Sequence, residues 1–517
     1  VILYGPLTIA SRLTEENFMS LTKLRNPNYL MPAAVLLAGA ATILLGERQT
    51  VNDGLGWDSA YAYWVKDFYN LVLVHGLPEY FTRRILPSLL VRVGMTLFSV
   101  PLENENIVRA FQLYNLALLT LSACVWGLVA DETGIGSRGK WFGFLFLFVN
   151  FAEWKCTFFV SVWTDTTAFT LGLLIFYFYL KDNAYGMALV IFLSGFTWPT
   201  APFMGALLFI FPRPKTPTGP TAGMPRGLSS LLAGLFSLAT LAALLYLTNS
   251  GLDERLGRYY LLVSIDKGWL YLSIAATAVY LFLALRVALD DRRLFDRLTL
   301  RSLSRRRVLV AVSILALTKI IQRSVWDGTD IAVGSLRAFG IHTLLTSLTE
   351  PLIFLVAHAV YYGPAVLLMA LYWRRLCRTF TAYGAGMGMF LILNAAFSVA
   401  AQSRWLINAF PVFVAVLVKA LEPALKRQSL FLWAALCLLY SKVWYQINAE
   451  PLVFDGTMDC LLRFPMQRMF MNIGPYMSRP VYLLQGAAVA LTAVTLYYFY
   501  KVRGRTRKKV DGKGQEM

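Results

Sequence analysis

Long apolar runs recur along the whole chain, and they restrict it to helices that bury themselves in lipid or in one another. They fall near 30–45, 109–130, 140–159, 165–181, 186–200, 201–212, 228–247, 269–289, 308–322, 350–372, 380–400, 407–422, 429–445 and 480–501. A hydrocarbon core about 30 Å thick takes about 20 helical residues to cross. Runs of roughly 15 to 25 residues therefore predict an all-α, polytopic transmembrane bundle of about fourteen helices. Composition agrees: 57% of the 517 residues are hydrophobic and only 15% are charged, against about 25% in soluble proteins.

Lys plus Arg number 48 against 29 Asp plus Glu, a formal charge of +19. In a soluble chain that surplus would point to nucleic acid. Here the basic residues sit in short loops, as expected of cytosolic loops, so no nucleic-acid partner is expected. With Lys23 and Arg25 inside, alternation puts 213–226, the eight arginines of 286–307, Arg374, Arg375 and Arg378, Lys426 and Arg427, and the 502–517 tail on one side. Residues 1–501 then form one membrane domain, and 502–517 a basic cytosolic tail that reads as disordered. The first long run is expected to stay as a membrane anchor.

Ile85–Val100 is the awkward segment. It is apolar but short, contains Pro87 and Arg92, and would invert every later loop if it crossed. It is expected to be an interfacial or re-entrant helix. The first outer loop then covers 46–105, and further outer segments cover 248–268, 323–349 and 446–479. No internal repeat and no broken-helix pair is apparent, which removes one pointer to a transporter.

Several chemistries are disfavoured. The five cysteines show no metal or CxxC spacing, and only His75, His342 and His358 could supply imidazole. Trp326-Asp327-Gly328-Thr329-Asp330 with His342 could resemble metal ligands, but a solvated turn explains the same residues. No metal and no cofactor are expected. The absence of an Asn-x-Ser/Thr sequon leans toward a bacterial inner membrane.

Charges that interrupt the apolar pattern are the informative ones, because an ionisable group at membrane depth is costly and usually faces a cavity or a partner. Asp53 and Asp58 lie among glycines in Asn52–Tyr61, where a polar turn is the alternative reading. Asp165, in Trp163-Thr164-Asp165, opens a long apolar run, where a helix N-cap is the alternative. Lys155, Lys319, Arg323, Arg404 and Lys442 lie near outer ends of crossings, against the orientation rule. They suit an anionic lipid phosphate, or headgroup snorkelling.

These residues together resemble the GT-C class of integral-membrane glycosyltransferases. Trp57-Asp58-Ser59 with Tyr61 is similar to the first-loop acid motif of the mannosyltransferase-like members. Tyr80–Pro87 resembles their Arg-x-Leu-x-Pro-like segment. Gly195-Phe196-Thr197-Trp198-Pro199 looks like a Gly-x-x-Thr-(Arg/Lys)-Pro ending, with Trp198 in place of the base. Ser403–Pro411 is similar to the Arg-Tyr lead-in to a late helix.

The resemblance implies transfer of a sugar from a polyprenyl-phosphate donor to a glycan, lipid or protein hydroxyl on the non-cytosolic face, with inversion, the family's usual outcome. Asp58 would be the base, Asp53 the second choice, and Asp165 an orienting acid. Arg84 and Arg404, then Lys319 and Arg323, would hold the donor phosphate. Trp57, Tyr61, Tyr63 and Trp64 would line the sugar site. The competing classes are a transporter or flippase and a catalytically silent subunit that keeps the fold.

Overall fold

A computed structural model describes residues 26–49, 52–56, 58–214, 226–251, 265, 267–290, 303–329, 336–445 and 474–498. Lys23, Arg25, Trp57, Lys215, Asp330, most of the 446–479 loop and the 502–517 tail lie outside the described residues. The described residues are helical apart from turns, with a single isolated bridge between Leu77 and Trp326. In hydrocarbon no water is present to satisfy backbone amides, so helices that close their own hydrogen bonds are the expected solution.

Five described helices are long and apolar enough to cross a membrane: Pro27–Leu45, Asn104–Glu132, Gly227–Asn249, Gly268–Leu289 and Arg479–Tyr497. A bent pair, Ser137–Phe148 with Phe151–Phe159, makes a sixth if it is one span. Other apolar runs form shorter helices, including Asp165–Leu180, Ala184–Ser194, Ala201–Ile210, Ile353–Tyr362 and Ala385–Phe397. The run at 350–372 is divided at Gly363, whose φ of +79° suits glycine.

Ile85–Val100 contains a 12-residue helix, Leu86–Leu97, which rises only about 18 Å and is too short to span. Pro87, Ser88, Val91 and Met95 are buried while Leu89, Leu90, Val93 and Leu97 are exposed. This helix is tied to the short Ala60–Lys66 helix. Ser88 Oγ donates to the Tyr61 carbonyl at 3.0 Å, and Arg92 Nη1 donates to the Val65 and Lys66 carbonyls at 3.0 and 3.1 Å. Arg92, unsuited to a crossing, thus caps a helix end.

The sequence gives no sign of a broken helix, yet 140–159 is broken, with a 57° bend. Asn150 is the cause. Its side-chain amide donates to the Phe146 and Leu147 carbonyls, and its Oδ1 accepts from the Glu153 backbone N–H. The carbonyls freed beyond the break are met by the long Asn104–Glu132 helix. Gln112 Nε2 donates to Phe158 O at 3.2 Å, and Asn115 Nδ2 donates to Ser161 O at 2.8 Å. Side-chain pairs then fix the next helix, Tyr114 to Thr167 and Ser122 to Thr170, each at 2.9 Å.

Close backbone approach sets the remaining geometry. A Cβ added at Gly172 would fall 2.0 Å from the Asn408 carbonyl oxygen, so only glycine lets the 403–409 segment pack against the Asp165–Leu180 helix. Gly172→Ala is therefore expected to overpack this contact and destabilise the fold by about 1–3 kcal/mol. Gly234→Ala, with open space around its Cβ, is expected to be neutral or slightly stabilising. Denaturation midpoints of the two variants in one detergent check the contrast.

Candidate functional site

Arg404 sits on a short 3-10 turn, Ser403–Leu406, between the Ala385–Phe397 and Phe410–Leu421 helices. The turn is held from below. His358 Nδ1 lies 2.9 Å from Ser403 Oγ, and Tyr362 OH donates to Ser403 O at 2.6 Å. Trp405 stacks on Phe339 at 4.5 Å and packs against His342 at 4.8 Å. Thr200 Oγ1 donates to Asn408 Oδ1 at 3.2 Å.

From this turn the guanidinium reaches two acids. Arg404 Nε and Nη2 donate to Asp165 Oδ1 and Oδ2 at 2.9 and 2.7 Å, a bidentate fork. Nη1 lies 3.4 Å from Asp58 Oδ2. The Trp163 ring covers the guanidinium with its centroid 3.7 Å from Cζ, within cation–π range. Asp165 is the first residue of its helix and Thr164 holds the N-cap position without a side-chain cap bond. The Asp165 carboxylate is thus engaged by Arg404 rather than by the helix end, although the positive helix terminus also favours it. Asp58 is 39% exposed at its side chain against 9% for Asp165, so Asp58 is the acid open to an approaching molecule.

Arg84 forms a second cationic point beside the first. Its guanidinium lies between the Tyr80 and Trp198 rings, 4.5 and 4.4 Å from their centroids, and Nη1 is 3.4 Å from Tyr61 OH. Burial pushes the Tyr61 phenol above its ordinary value, with Arg84 opposing the shift, so the hydroxyl stays protonated. Among the described residues Arg84 has no ion-pair partner, and its Nε has no hydrogen-bond partner. A buried cation answered by two ring faces and a phenol but by no carboxylate suits an anionic ligand, which would offset its desolvation more fully.

Arg84 opens onto a cavity of about 410 Å³ between the first loop, Gly195–Phe203 and the Arg305–Ser324 helix. Its wall is mostly apolar, with Arg83, Arg84 and Lys319 as cations and Trp405 at one side. Glu79 pairs with Arg83 and, at 3.5 Å, with Lys319. Three cations against one carboxylate leave a formal excess of positive charge. Asp58 is not on this wall; Tyr61 beside Arg84 and Trp405 beside Arg404 link cavity and acid pair.

Other expected residues fall elsewhere. Asp53 is exposed in a tight turn with φ +53°, where Asn52 Nδ2 donates to Gly56 O at 2.8 Å; the turn reading accounts for it. Trp64 is buried against Tyr61 and Phe81, and so packs the loop rather than offering a sugar platform; Tyr63 is exposed. Arg323 is exposed and not on the cavity wall. Lys155 donates to Glu47 at 2.8 Å and Tyr445 O at 2.7 Å. Asp327 Oδ1 accepts from the Thr329 amide and hydroxyl, which makes a turn of the Trp326–Thr329 segment. Among the described residues no group of three His, Cys, Asp or Glu could hold a metal.

Two residues behind Asp165 were not singled out from sequence. Glu153 is 1% exposed, and its Oε2 has no hydrogen-bond partner; the buried Tyr361 hydroxyl has none either. The signal was present, since Asn150, Glu153 and Lys155 all interrupt one apolar run.

No family model, curated protein or solved structure matches the chain. The geometry thus defines only a broad class: an all-helical protein with helices able to cross a membrane and a charged cluster beside an amphiphilic cavity.

Removing one partner of a buried pair leaves an uncompensated charge, at about 3–5 kcal/mol. Asp165→Asn should therefore destabilise strongly, whereas Asp165→Asn with Arg404→Met should recover part of that loss. A double-mutant cycle on denaturant unfolding measures the coupling.

Proposed function

We propose that this chain is an integral-membrane glycosyltransferase of the GT-C type, moving a sugar from a polyprenyl-phosphate donor to an acceptor hydroxyl. One observation carries the reading: the half-open Asp58 carboxylate is paired with Arg404, whose neighbour Trp405 lines the apolar, cationic cavity onto which the buried Arg84 opens. An isoprenoid phosphate has the matching chemistry, an anion on a long apolar chain. The motif resemblance adds support, and the bundle would have about fourteen crossings with its basic loops on the cytosolic side. The site would then face the periplasm of a bacterial inner membrane, with the C-terminus cytosolic.

In this reading the acceptor oxygen attacks the sugar C1 while its proton passes to Asp58. The C1–oxygen bond to phosphate breaks, C1 inverts, and polyprenyl phosphate leaves with the electron pair. A phosphate anion needs no general acid but does need cations. Arg84 and Lys319 supply them. Arg404, committed to Asp165 on two nitrogens, acts as a positioning residue that fixes Asp58 rather than as the main phosphate ligand. Trp198 stands where the resembling motif has a basic residue, and the cation stacked on it is Arg84.

The test is sugar transfer by the reconstituted full chain, offered a panel of polyprenyl-phosphate sugars and lipid-linked acceptors. Asp58→Asn is expected to cut kcat by about 10²–10⁴-fold with donor binding retained, and Arg84→Gln to raise the donor KM. Transfer at the wild-type rate by Asp58→Asn would remove Asp58 from the mechanism. Donor binding without transfer in the wild type would favour a silent subunit.

A second reading, transporter or flippase, is favoured by the broken helix beside the buried Glu153, since discontinuous helices and intramembrane acids mark transport pathways. Movement of lipid or solute across vesicles without a transfer product would support it.

A further inference from the structure

Two further cavities are distinct from the one beside Arg84 and belong to neither reading above. One, of about 350 Å³, is an open-sided cavity lined by the Lys267–Leu289, Ile353–Tyr362, Ala365–Leu371, Ala385–Phe397 and Phe410–Leu421 helices, with Ala370 on its wall. The other, of about 500 Å³, is lined by Ser230, Leu283, Arg286, Val287, Asp290 and Arg374. Leu283 and Val287 line both, so the apolar cavity and the charged one adjoin.

The two chambers differ in chemistry as the two parts of a lipid do. In the first, the polar wall groups are engaged within the protein: Tyr280 OH pairs with Ser398 Oγ at 2.8 Å, and His358 is held by Ser398 O and, off the wall, by Ser403 Oγ. Among the described residues Asn394 Oδ1 is left without a partner on that wall. In the second, Arg286 and Arg374 face one acid, Asp290, 3.6 Å from Arg374 Nη2.

Orientation also fits. Arg286 lies six residues beyond Tyr280 on one helix, about 9 Å of rise, toward the end that carries the Arg-rich 286–307 loop. Beside it the Trp373–Ala382 helix buries Leu376, Cys377 and Phe380 and exposes Arg374, Arg375 and Arg378, the pattern of a helix lying in the membrane interface. Trp373 anchors it by donating from Nε1 to the Ala284 carbonyl at 3.0 Å.

We propose that these adjoining cavities bind one anionic glycerophospholipid, its phosphate between Arg286 and Arg374 and one acyl chain passing over Leu283 and Val287 into the apolar cavity. The chain would end beside His358, which holds Ser403 and so the turn bearing Arg404. A basic pocket between membrane helices is a recognised form of headgroup site, and the attached apolar chamber adds selection for a chained ligand over a free anion. The inference is independent of sugar transfer.

Native mass spectrometry of the detergent-purified full chain tests it, with phosphatidylglycerol and phosphatidylcholine of identical chains added in equal amounts. The expected result is several-fold preferential retention of phosphatidylglycerol. Arg286→Gln with Arg374→Gln should abolish the preference, and Ala370→Trp, which fills the apolar chamber, should lower retention of both lipids. Helical circular dichroism of each variant confirms folding, and each arginine is also replaced singly. Equal retention of the two lipids by the wild type, or an unchanged preference in the arginine variants, overturns the proposal. Displacement of the lipid by glycerol phosphate alone overturns the role of the apolar chamber.

Discussion

Arg404 is the charge around which the described structure is organised. A guanidinium this enclosed is tolerable only if its field is answered nearby, and here the answer comes from three side chains on two parts of the chain distant in sequence. Asp165 supplies a fork, Asp58 a second carboxylate, and Trp163 a ring face. Each must arrive at the right depth. The turn at 403–406 is braced by His358 and Tyr362, the absence of a side chain at Gly172 lets that turn approach, and Asn115 holds the backbone just before Asp165. Two acids on one cation leave the cluster formally negative.

The chain keeps its apolar and polar work at different places. Packing between helices comes from glycines and aromatic side chains, since lipid tails provide no hydrophobic drive for helix association. Hydrogen-bonding side chains appear where a helix is interrupted, at Asn150 and at the 156–161 segment. The same interruption admits Glu153 and brings Asp165 to the start of a fresh helix. A break that would be a defect in a plain span thus makes room for buried charge. The cavities follow the same division: apolar walls with cations at one edge recur in two places, one at Arg84 and one at the Arg-rich end.

Much of this was legible in the sequence because charge in an apolar run is rare. Asp58, Asp165 and Arg404 stood out for that reason, and they converge. The short amphipathic helix within 85–100 was legible from Pro87, Arg92 and parity. What was not legible is pairing. Nothing in the spacing says that Arg404 is taken by Asp165 while Arg84 is not, because that depends on which rings and acids the packing brings close. The bend at Asn150 was missed since asparagine does not break a helix by propensity alone; it does so by capturing carbonyls of the previous turn. Crossing lengths read from hydropathy were also smoother than the helices, which stop at Gly363 and Val149 inside apolar stretches. Trp57 lies outside the described residues.

The central claim is that an isoprenoid phosphate sits in the cavity beside Arg84 with its sugar turned to Asp58. Cryo-electron microscopy of the full chain in nanodiscs with a non-hydrolysable polyprenyl-phosphonate sugar tests this most directly. Phosphorus density within hydrogen-bond reach of Arg84, a chain along the apolar wall and the sugar C1 facing Asp58 is the expected result. A lipid phosphonate bound elsewhere, or a cavity that stays closed to it at saturating concentration, would contradict the claim.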